Sequence, residues 1–263
     1  MRVMIMTDLE GVSGVVNFEN QTGPSGRHYE AARQLLTGEV NAAVEGLQQE
    51  GVEDVLVIDG HGCGAVVLEQ LRPPARLMHG GSSFLAKPAM ELYPGFDATM
   101  MIGQHSMAGT PNGCLAHTQN HVTIEYYKLN GRMIGELGQW ALFCGGFGVP
   151  MIFLAGDDLA CREAEELIPG IVTAVVKQSL ARESAVSLAP ATCQELIRQK
   201  VRQAVRAHRK SPIPPLVFSP PYELEVALKE EGMAKPYLSS GKWEKVNDRT
   251  VRRRSEDLYQ IIY

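Results

Sequence analysis

Acidic residues and histidines stand at three places within the first 105 residues of the sequence. Asp8 and Glu10 lie two residues apart, and His61 and His105 each follow a glycine within two residues. Residues two apart on an extended chain point to the same side, so both carboxylates can reach one cation. Carboxylates and imidazoles without thiolates favour Zn²⁺, Mn²⁺, Co²⁺ or Fe²⁺ over Ca²⁺ or Cu⁺. These residue types indicate a transition-metal site, and a bridging Asp8 suits a pair of ions.

Secondary structure has to bring these four side chains together, and the sequence before each of them predicts how. Short apolar runs at residues 2–7, 54–58 and 99–102 are each followed directly by one of the polar clusters. Such runs are typical of buried parallel strands. Open α/β sheets place their binding sites at the carboxyl ends of their strands. We therefore expect the four side chains to converge at one edge of a sheet.

The rest of the pattern alternates between helices and strands. Residues 29–49 carry apolar side chains at helical spacing, and Gly51 follows as a plausible end of that helix. Further helices are predicted at residues 136–144, 159–167 and 196–207, and further strands at residues 150–154 and 223–228. The alternation predicts an α/β fold with a largely parallel sheet flanked by helices.

The last quarter of the sequence is less regular. Residues 211–221 are repeatedly interrupted by proline. We predict a metal-binding catalytic α/β domain over residues 1–190 and a smaller C-terminal α+β lobe over residues 191–263. One continuous domain is the alternative.

Composition excludes several classes of protein. With 44% hydrophobic and 21% charged residues, the chain is neither disordered nor collagen-like. The net charge is −5 and the basic run at residues 252–254 is short, so we expect no nucleic-acid and no membrane partner. The apolar start of the chain is too short for a signal peptide, and no apolar run approaches bilayer length.

Five cysteines, none in CxxC spacing, argue against a disulfide framework. A reducing cytoplasm is the compartment that fits this pattern. Cys63 and Cys114 are close in sequence to histidines, but we expect them to be buried free thiols that behave as small hydrophobic residues.

Each polar residue also has an ordinary structural interpretation. An acidic residue after a strand more often caps a turn, and a loop histidine more often makes a hydrogen bond. The joint pattern favours a cation, since buried charges need a partner. The histidines that have no partner at helpful spacing are interpreted as structural: His28, His79, His121 and His208.

Several short motifs follow one another along roughly the first 190 residues. They are Met6-Thr7-Asp8-Leu9-Glu10-Gly11, Asp59-Gly60-His61, Gly103-Gln104-His105, Ala116-His117-Thr118, Asn130-Gly131, Gly135-Glu136-Leu137-Gly138, Gly148-Val149-Pro150, Ala155-Gly156-Asp157-Asp158 and Val176-Lys177-Gln178. Together they resemble the D-aminopeptidases of the dipeptide-transport-operon type, a family of dinuclear zinc peptidases. Beyond residue 190 the resemblance fades.

The resemblance implies a set of site residues. It carries the metal ligands over to Asp8, Glu10, His61, His105 and Glu136, and the catalytic histidine to His117. It also implies two divalent ions per chain, with zinc as the expected metal. Glu136 lies at a predicted helix start, where the helix dipole favours a carboxylate in any case. For His117 the roles of nucleophile and general base stay open, and we favour proton transfer because an imidazole titrates near neutral pH.

One position departs from the family pattern. That pattern reads Ser-x-Asp-x-Glu-Gly, and its first position in this sequence is Met6. A hydroxyl that could orient the Asp8 carboxylate is therefore missing, which could alter metal affinity or preference. In the simpler interpretation, Met6 packs under the site, since methionine fills irregular gaps readily.

By resemblance, the expected function is an aminopeptidase that releases N-terminal D-amino acids from short peptides with a metal-activated water. The preference for D-residues is implied by the resemblance alone, because it depends on the shape of the pocket. A dinuclear metal amidase or phosphoesterase on the same fold is one alternative. A non-enzymatic metal-binding scaffold is the other, and it predicts a coordinatively closed site.

The resemblance further implies a homo-oligomer, a decamer of two stacked pentamers whose active sites face an inner chamber. Trp140, Phe143 and Phe147 are spaced three and four apart and form an apolar stripe on a predicted helix. Such a stripe packs either on a neighbouring subunit or in the core of its own chain.

Overall fold

Twelve strands and seven α-helices make up the part of the chain that the computed structural model describes, residues 1–80 and 82–263. The strands are β1 (Arg2–Thr7), β2 (Asp54–Asp59), β3 (Ala75–Met78), β4 (Ala98–Gln104), β5 (Ile124–Leu129), β6 (Arg132–Met133), β7 (Met151–Asp157), β8 (Val172–Ala181), β9 (Ser184–Ser187), β10 (Tyr222–Leu228), β11 (Glu244–Lys245) and β12 (Thr250–Ser255). The helices are α1 (Phe18–Gln21), α2 (Tyr29–Gln49), α3 (Lys87–Met90), α4 (Glu136–Gly145), α5 (Asp158–Leu167), α6 (Pro190–Lys210) and α7 (Lys235–Ser239).

The larger sheet has the strand order β3-β2-β1-β4-β7-β8-β9. Neighbouring strands are parallel from β3 to β8, and β9 runs antiparallel to β8. The predicted largely parallel sheet is confirmed. Along the chain, β2 and β3 extend the sheet on one side of β1, and β4 then joins on the other side. The carboxyl ends of β1 and β4 therefore border a switch point, where open α/β sheets bind their ligands.

Local sequence explains the central elements of this sheet. All seven residues of β4 and of β7 are buried, as the continuous apolar runs predict for strands covered on both faces. The predicted helix over residues 29–49 is α2, and it ends as expected at Gly51, which has φ +72°. Gly51 N–H donates to Gln48 O and Val52 N–H donates to Leu47 O, the two hydrogen bonds of a Schellman cap. Helix α6, longer than predicted, packs on α2.

A second, smaller sheet is antiparallel and has the order β11-β12-β10-β5-β6. The predicted strand at residues 223–228 is its central strand β10. Strands β5 and β6 come from residues 124–133, so strands from both sides of residue 190 share this sheet. The division of the chain at residue 190 stays a prediction.

The aromatic stripe of α4 lies within the core of its own chain. Trp140 and Phe143 are buried, and their rings stack at 5.5 Å between centroids. Tyr93 and the two tyrosines of the C-terminal segment, Tyr259 and Tyr263, also contact Phe143. Of the two interpretations of the stripe, packing within the chain is the one observed. Among the described residues, no helix combines the length and the apolar character needed to cross a membrane.

Candidate metal centre

The loops after β1, β2 and β4 carry the first four candidate ligands. Asp8 follows β1 directly, and its N–H donates to Ile102 O of β4. The backbones of the two loops are in close contact at Gly103, where φ is +80° and a Cβ atom would collide with Asp8 O. A glycine is required there on both grounds. The close approach brings Asp8 and His105 to the same point of the sheet edge.

The four side chains from these loops meet as expected. His61 Nδ1 lies 3.3 Å from Asp8 Oδ1 and 3.3 Å from Glu10 Oε2. His105 Nε2 lies 3.1 Å from Asp8 Oδ2. The two carboxylate oxygens of Asp8 thus face two different histidines. Asp8 and Glu10 are 7% and 4% exposed, and His105 is 1% exposed, so water does not screen these charges.

Glu136 and His117 complete the group. Glu136 is the first residue of α4, as predicted, and its Oε1 lies 3.6 Å from His105 Nε2 and 3.8 Å from His117 Nε2. Gln119 N–H donates to the same oxygen at 2.6 Å. The imidazole ring of His117 stacks on that of His105 with 4.0 Å between centroids. All six residues chosen from the sequence are therefore adjacent, and their roles as ligands or catalyst stay predictions.

Hydrogen bonds to backbone carbonyls fix the orientation of each imidazole ring. His61 Nε2 lies 2.7 Å from Thr22 O, and His105 Nδ1 lies 2.9 Å from Ser106 O. A carbonyl oxygen can only accept, so each of these nitrogens carries a proton. In the neutral ring the other nitrogen then presents a lone pair to the carboxylates. Lone pairs facing carboxylates repel one another unless a cation lies between them, and metal-binding histidines commonly have such carbonyl partners.

Unpaired buried atoms also indicate a cation-binding site. Asp8 Oδ2, Glu10 Oε2 and His105 Nε2 are buried and have no hydrogen-bond partner among the described residues. Leaving buried polar atoms unpaired is costly. Asp8, Glu10 and His105 form one group whose ligand atoms all lie within 4.8 Å of one another, and His105, His117 and Glu136 form a second. The donor set fits divalent ions that accept both oxygen and nitrogen.

The pKa values in the cluster follow from the same geometry. Burial opposes the charged form of Asp8, but the rings of His105 and His61 hold its pKa well below the usual value. Burial likewise opposes protonation of His105, yet the carboxylates of Asp8 and Glu136 raise its pKa well above the usual value. The cluster therefore requires positive charge, which protons or metal ions can supply.

His117 differs from the other two histidines. Burial lowers its pKa, and the positive charge on the neighbouring His105 ring lowers it further. His117 Nδ1 donates to Leu115 O at 2.9 Å, so Nε2 is the nitrogen that faces the site. A neutral ring with its free nitrogen directed at the site is suited to accept a proton.

Three charged residues that sequence reasoning did not select hold the loops of the centre: Asp157 and Lys177, which are buried, and Glu163, which is half-buried. Asp157 Oδ2 accepts from Ser106 N–H at 2.9 Å, and Glu163 Oε2 accepts from Met107 N–H at 3.1 Å. Lys177 Nζ donates to Glu10 O at 2.5 Å. Asp157 and Lys177 belong to the family-like motifs quoted above, so the sequence contained a signal for both.

One of the expectations for single residues is wrong. Cys63 is exposed, because it lies in a glycine-flanked loop that lines the pocket. The thiol of Cys114 is buried as predicted. The ring of His121 stacks on that of Phe18 with 4.1 Å between centroids and lines the same pocket, and its structural interpretation stays a prediction.

The cluster lies in a cavity of about 540 Å³. Its polar side includes Thr22, Gln119 and His121. Its apolar side is lined by Met6, Phe84, Leu85, Met101, Trp140 and Tyr263. Met6 is 5% exposed and packs against Gly60, as the simpler interpretation of this position predicts. The candidate ligands are therefore reachable by a small molecule.

Comparison with known proteins shows similarity along the whole chain. Residues 1–263 match the peptidase M55 family, which is described as D-aminopeptidase. A D-aminopeptidase of Bacillus subtilis (strain 168) is 32% identical over 266 residues, which cover 99% of this chain and 93% of the relative. The solved structure described as "Zn-dependent D-aminopeptidase DppA from Bacillus subtilis, a self-compartmentalizing protease" has a TM-score of 0.92 and 30% identity, and the match covers 100% of this chain and 94% of that one. The similarity includes the residues beyond 190, where the short motifs fade.

Proposed function

The chain belongs to the peptidase M55 family of D-aminopeptidases and is a metal-dependent aminopeptidase, and we propose that it uses two zinc ions to release N-terminal D-amino acids from short peptides. The observation that carries this proposal is the buried cluster itself. Imidazole lone pairs and carboxylate oxygens face one another at the bottom of an accessible cavity. Such an arrangement suits a catalytic metal centre better than a closed structural one.

We assign the five ligands to two adjoining positions. His61 and Glu10 lie on the side of Asp8 Oδ1, whereas His105 and Glu136 lie on the side of Asp8 Oδ2. Asp8 lies between the two positions and would help to hold an ion at each. This division supports two ions per chain and explains why the carboxylate of Asp8 lies at the centre of the group.

When bound, the two ions supply a water of lowered pKa and polarise the scissile carbonyl. The chain's own residues supply orientation and proton transfer. His117, held by Leu115 O, is neutral at physiological pH and presents Nε2 to the site. His117 Nε2 would take a proton from the attacking water and pass it to the leaving amine.

The alternative functions fit the site less well. A phosphoesterase on the same fold is disfavoured by the comparisons, since the family and both similar proteins are described as D-aminopeptidases. A metal-binding scaffold predicts a closed site, but these candidate ligands border a cavity of about 540 Å³. Both observations support a peptidase.

We also propose that the chain forms a homodecamer in the cytoplasm. The solved relative is described as self-compartmentalizing. The β8–β9 edge of the larger sheet exposes Val175, Leu180 and Val186, at 42%, 52% and 59%, and such apolar side chains are typical of an interface. All five cysteines are free thiols, as expected in a reducing compartment. For the assembly, light scattering should give a single molar mass, close to ten times that of one chain. A monomer with full activity would contradict the decamer.

Metal analysis combined with a substrate panel tests the function. The purified protein should contain two zinc ions per chain and hydrolyse D-alanyl dipeptides, with little activity on the matched L-alanyl dipeptides or on phosphoesters. Chelation should remove the activity, and added zinc should restore it. Protein without bound metal whose peptidase activity is unaffected by chelator would overturn the proposal.

A further inference from the structure

The cavity beside the candidate ligands has two chemically different walls. One wall is polar, whereas six apolar side chains form the other: Met6, Phe84, Leu85, Met101, Trp140 and Tyr263, together called the apolar wall. These residues come from five separate segments of the chain. Met6, Met101 and Trp140 are buried, whereas Phe84, Leu85 and Tyr263 are partly exposed. Exposed apolar surface next to a charged cluster is unfavourable in water. It therefore calls for an apolar ligand group.

Local geometry places the apolar wall directly next to the ligands. Met6 and Asp8 are two residues apart along β1 and its end, so their side chains lie on the same face. Met6 pairs with Met101 across the β1–β4 ladder. Trp140 follows Glu136 by one turn of α4, which places the two side chains on the same side of the helix. No gap separates the charged cluster from the wall.

Packing and hydrogen bonds hold the apolar wall in place. Trp140 Nε1 donates to Thr99 Oγ1 at 2.9 Å, so the polar atom of this buried side chain is satisfied and it forms a fixed apolar base of the wall. The Phe84 ring contacts those of Trp140 and Tyr263 edge to face, at 6.2 and 5.4 Å between centroids. Phe84 O accepts from Tyr93 OH at 2.6 Å. Because this apolar surface is already ordered, little free energy is lost to ordering side chains when a ligand binds to it.

Met6 brings the apolar wall up to the candidate metal ligands. Its side chain is apolar and polarizable, and it packs against Gly60, directly before His61. The apolar surface therefore continues to the base of the metal centre.

We propose that the apolar wall is the subsite for the side chain of the N-terminal residue and that the enzyme prefers bulky apolar or aromatic D-residues there. This inference rests on the proposed function. The α-amine and the scissile carbonyl of a substrate must both lie at the charged cluster. The Cα atom between them is then within two bonds of the cluster, so its side chain has to occupy the adjoining part of the cavity.

The expected preference follows from apolar burial. A single methylene group in an apolar pocket is worth roughly 10- to 200-fold in kcat/KM. D-Leu-Gly and D-Phe-Gly should therefore be cleaved at least about tenfold more efficiently than D-Ala-Gly. D-Glu-Gly should be the poorest of the four, since the wall offers no partner for a carboxylate.

A pair of matched variants tests the location of the subsite. Leu85→Asn places an amide in the apolar wall and should reduce the D-Leu over D-Ala preference at least about fivefold, mainly through KM. Leu92→Asn is the control, because Leu92 is 51% exposed and lies outside the cavity lining. An equal loss of the D-Leu preference in both variants would overturn the assignment. An unchanged preference in Leu85→Asn would overturn it as well.

A binding measurement separates this inference from the proposed function. Free D-leucine and D-alanine are titrated into the metal-loaded protein by calorimetry. If the protein cleaves no D-peptide but binds D-leucine at least about tenfold more tightly than D-alanine, the proposed function is wrong and the apolar subsite is supported. Equal binding together with equal cleavage of D-Leu-Gly and D-Ala-Gly would overturn the subsite and leave the function standing.

Discussion

Two groups of enclosed carboxylates differ in what surrounds them. Asp8 and Glu136 stand beside histidine rings at the sheet edge, and the His105 ring outweighs burial and lowers the pKa of both. Glu39 lies behind the sheet edge, where burial raises its pKa to about 7. Burial also raises the pKa of Asp157, even though its carboxylate accepts hydrogen bonds from three backbone N–H groups.

The difference teaches that burial of an acid does not by itself identify a metal site. Asp8 Oδ2 and Glu39 Oε2 are both buried without a hydrogen-bond partner among the described residues. Glu39 has the Ser13 N–H and the Cys193 thiol as its hydrogen-bond partners, and burial favours its neutral form. Beside Asp8, the rings of His61 and His105 each direct a nitrogen at the carboxylate. The convergence of imidazoles is what distinguishes the centre.

The largest expected effect comes from removing the central carboxylate. Asp8→Asn keeps the size of the side chain but removes the charge that both histidines face. We expect zinc content to fall below one ion per chain and kcat/KM to fall by more than about 100-fold, the upper range for a group that only orients a ligand. Metal analysis and kinetics measure both.

Glu39→Gln is the matched control for that experiment, since it removes a buried carboxylate outside the cluster. It should retain its metal. If Asp8→Asn and Glu39→Gln lose equal amounts of zinc, removal of any buried acid in this region affects metal binding indirectly. The contrast between Asp8 and Glu39 would then be wrong.

The second effect concerns the histidine that is expected to move protons. His117→Ala should retain two zinc ions, and kcat should fall by about 100- to 10,000-fold. In the unsubstituted protein, protonation of His117 should depress the rate on the acid side, below its lowered pKa. That acid limb should be absent in the variant. Loss of zinc in proportion to activity would make His117 a ligand.

The smallest effect is on stability and concerns Glu39. Its pKa is about 7 in the folded chain, above the ordinary value of 4.5. The folded state therefore holds this proton longer than the unfolded state, so stability is full below pH 4.5 and is lost as pH rises to 7. Glu39→Gln should remove this loss, a difference on the order of 3 kcal/mol.

Urea unfolding of both proteins at pH 4.5, 6 and 8 measures that difference. Glu91→Gln, a substitution of an exposed acid, should follow the unsubstituted protein. A Glu39→Gln variant with the same pH dependence as the unsubstituted protein would contradict the raised pKa and with it the contrast between the two groups.

Sequence alone determined the central elements and the position of the first four site residues. Strand β1 and helix α2 begin and end where their patterns predict, because both signals are local: a continuous apolar run for the strand and 3.6-residue spacing with a terminal glycine for the helix. Asp8, Glu10, His61 and His105 could be placed together because parallel strands end at one edge of a sheet.

Glu136 and His117 were chosen from the sequence through the family resemblance alone, since no periodic pattern relates them to β1. Only the tertiary structure shows that they reach the cluster, from a helix start and from a loop. Strand β5 pairs with β10 roughly 100 residues later in the chain, a long-range contact that no local window contains. The same holds for the apolar wall, whose members are apolar residues like any other in the sequence. Their function follows from the cavity that they line together, and a cavity exists only once distant segments have packed.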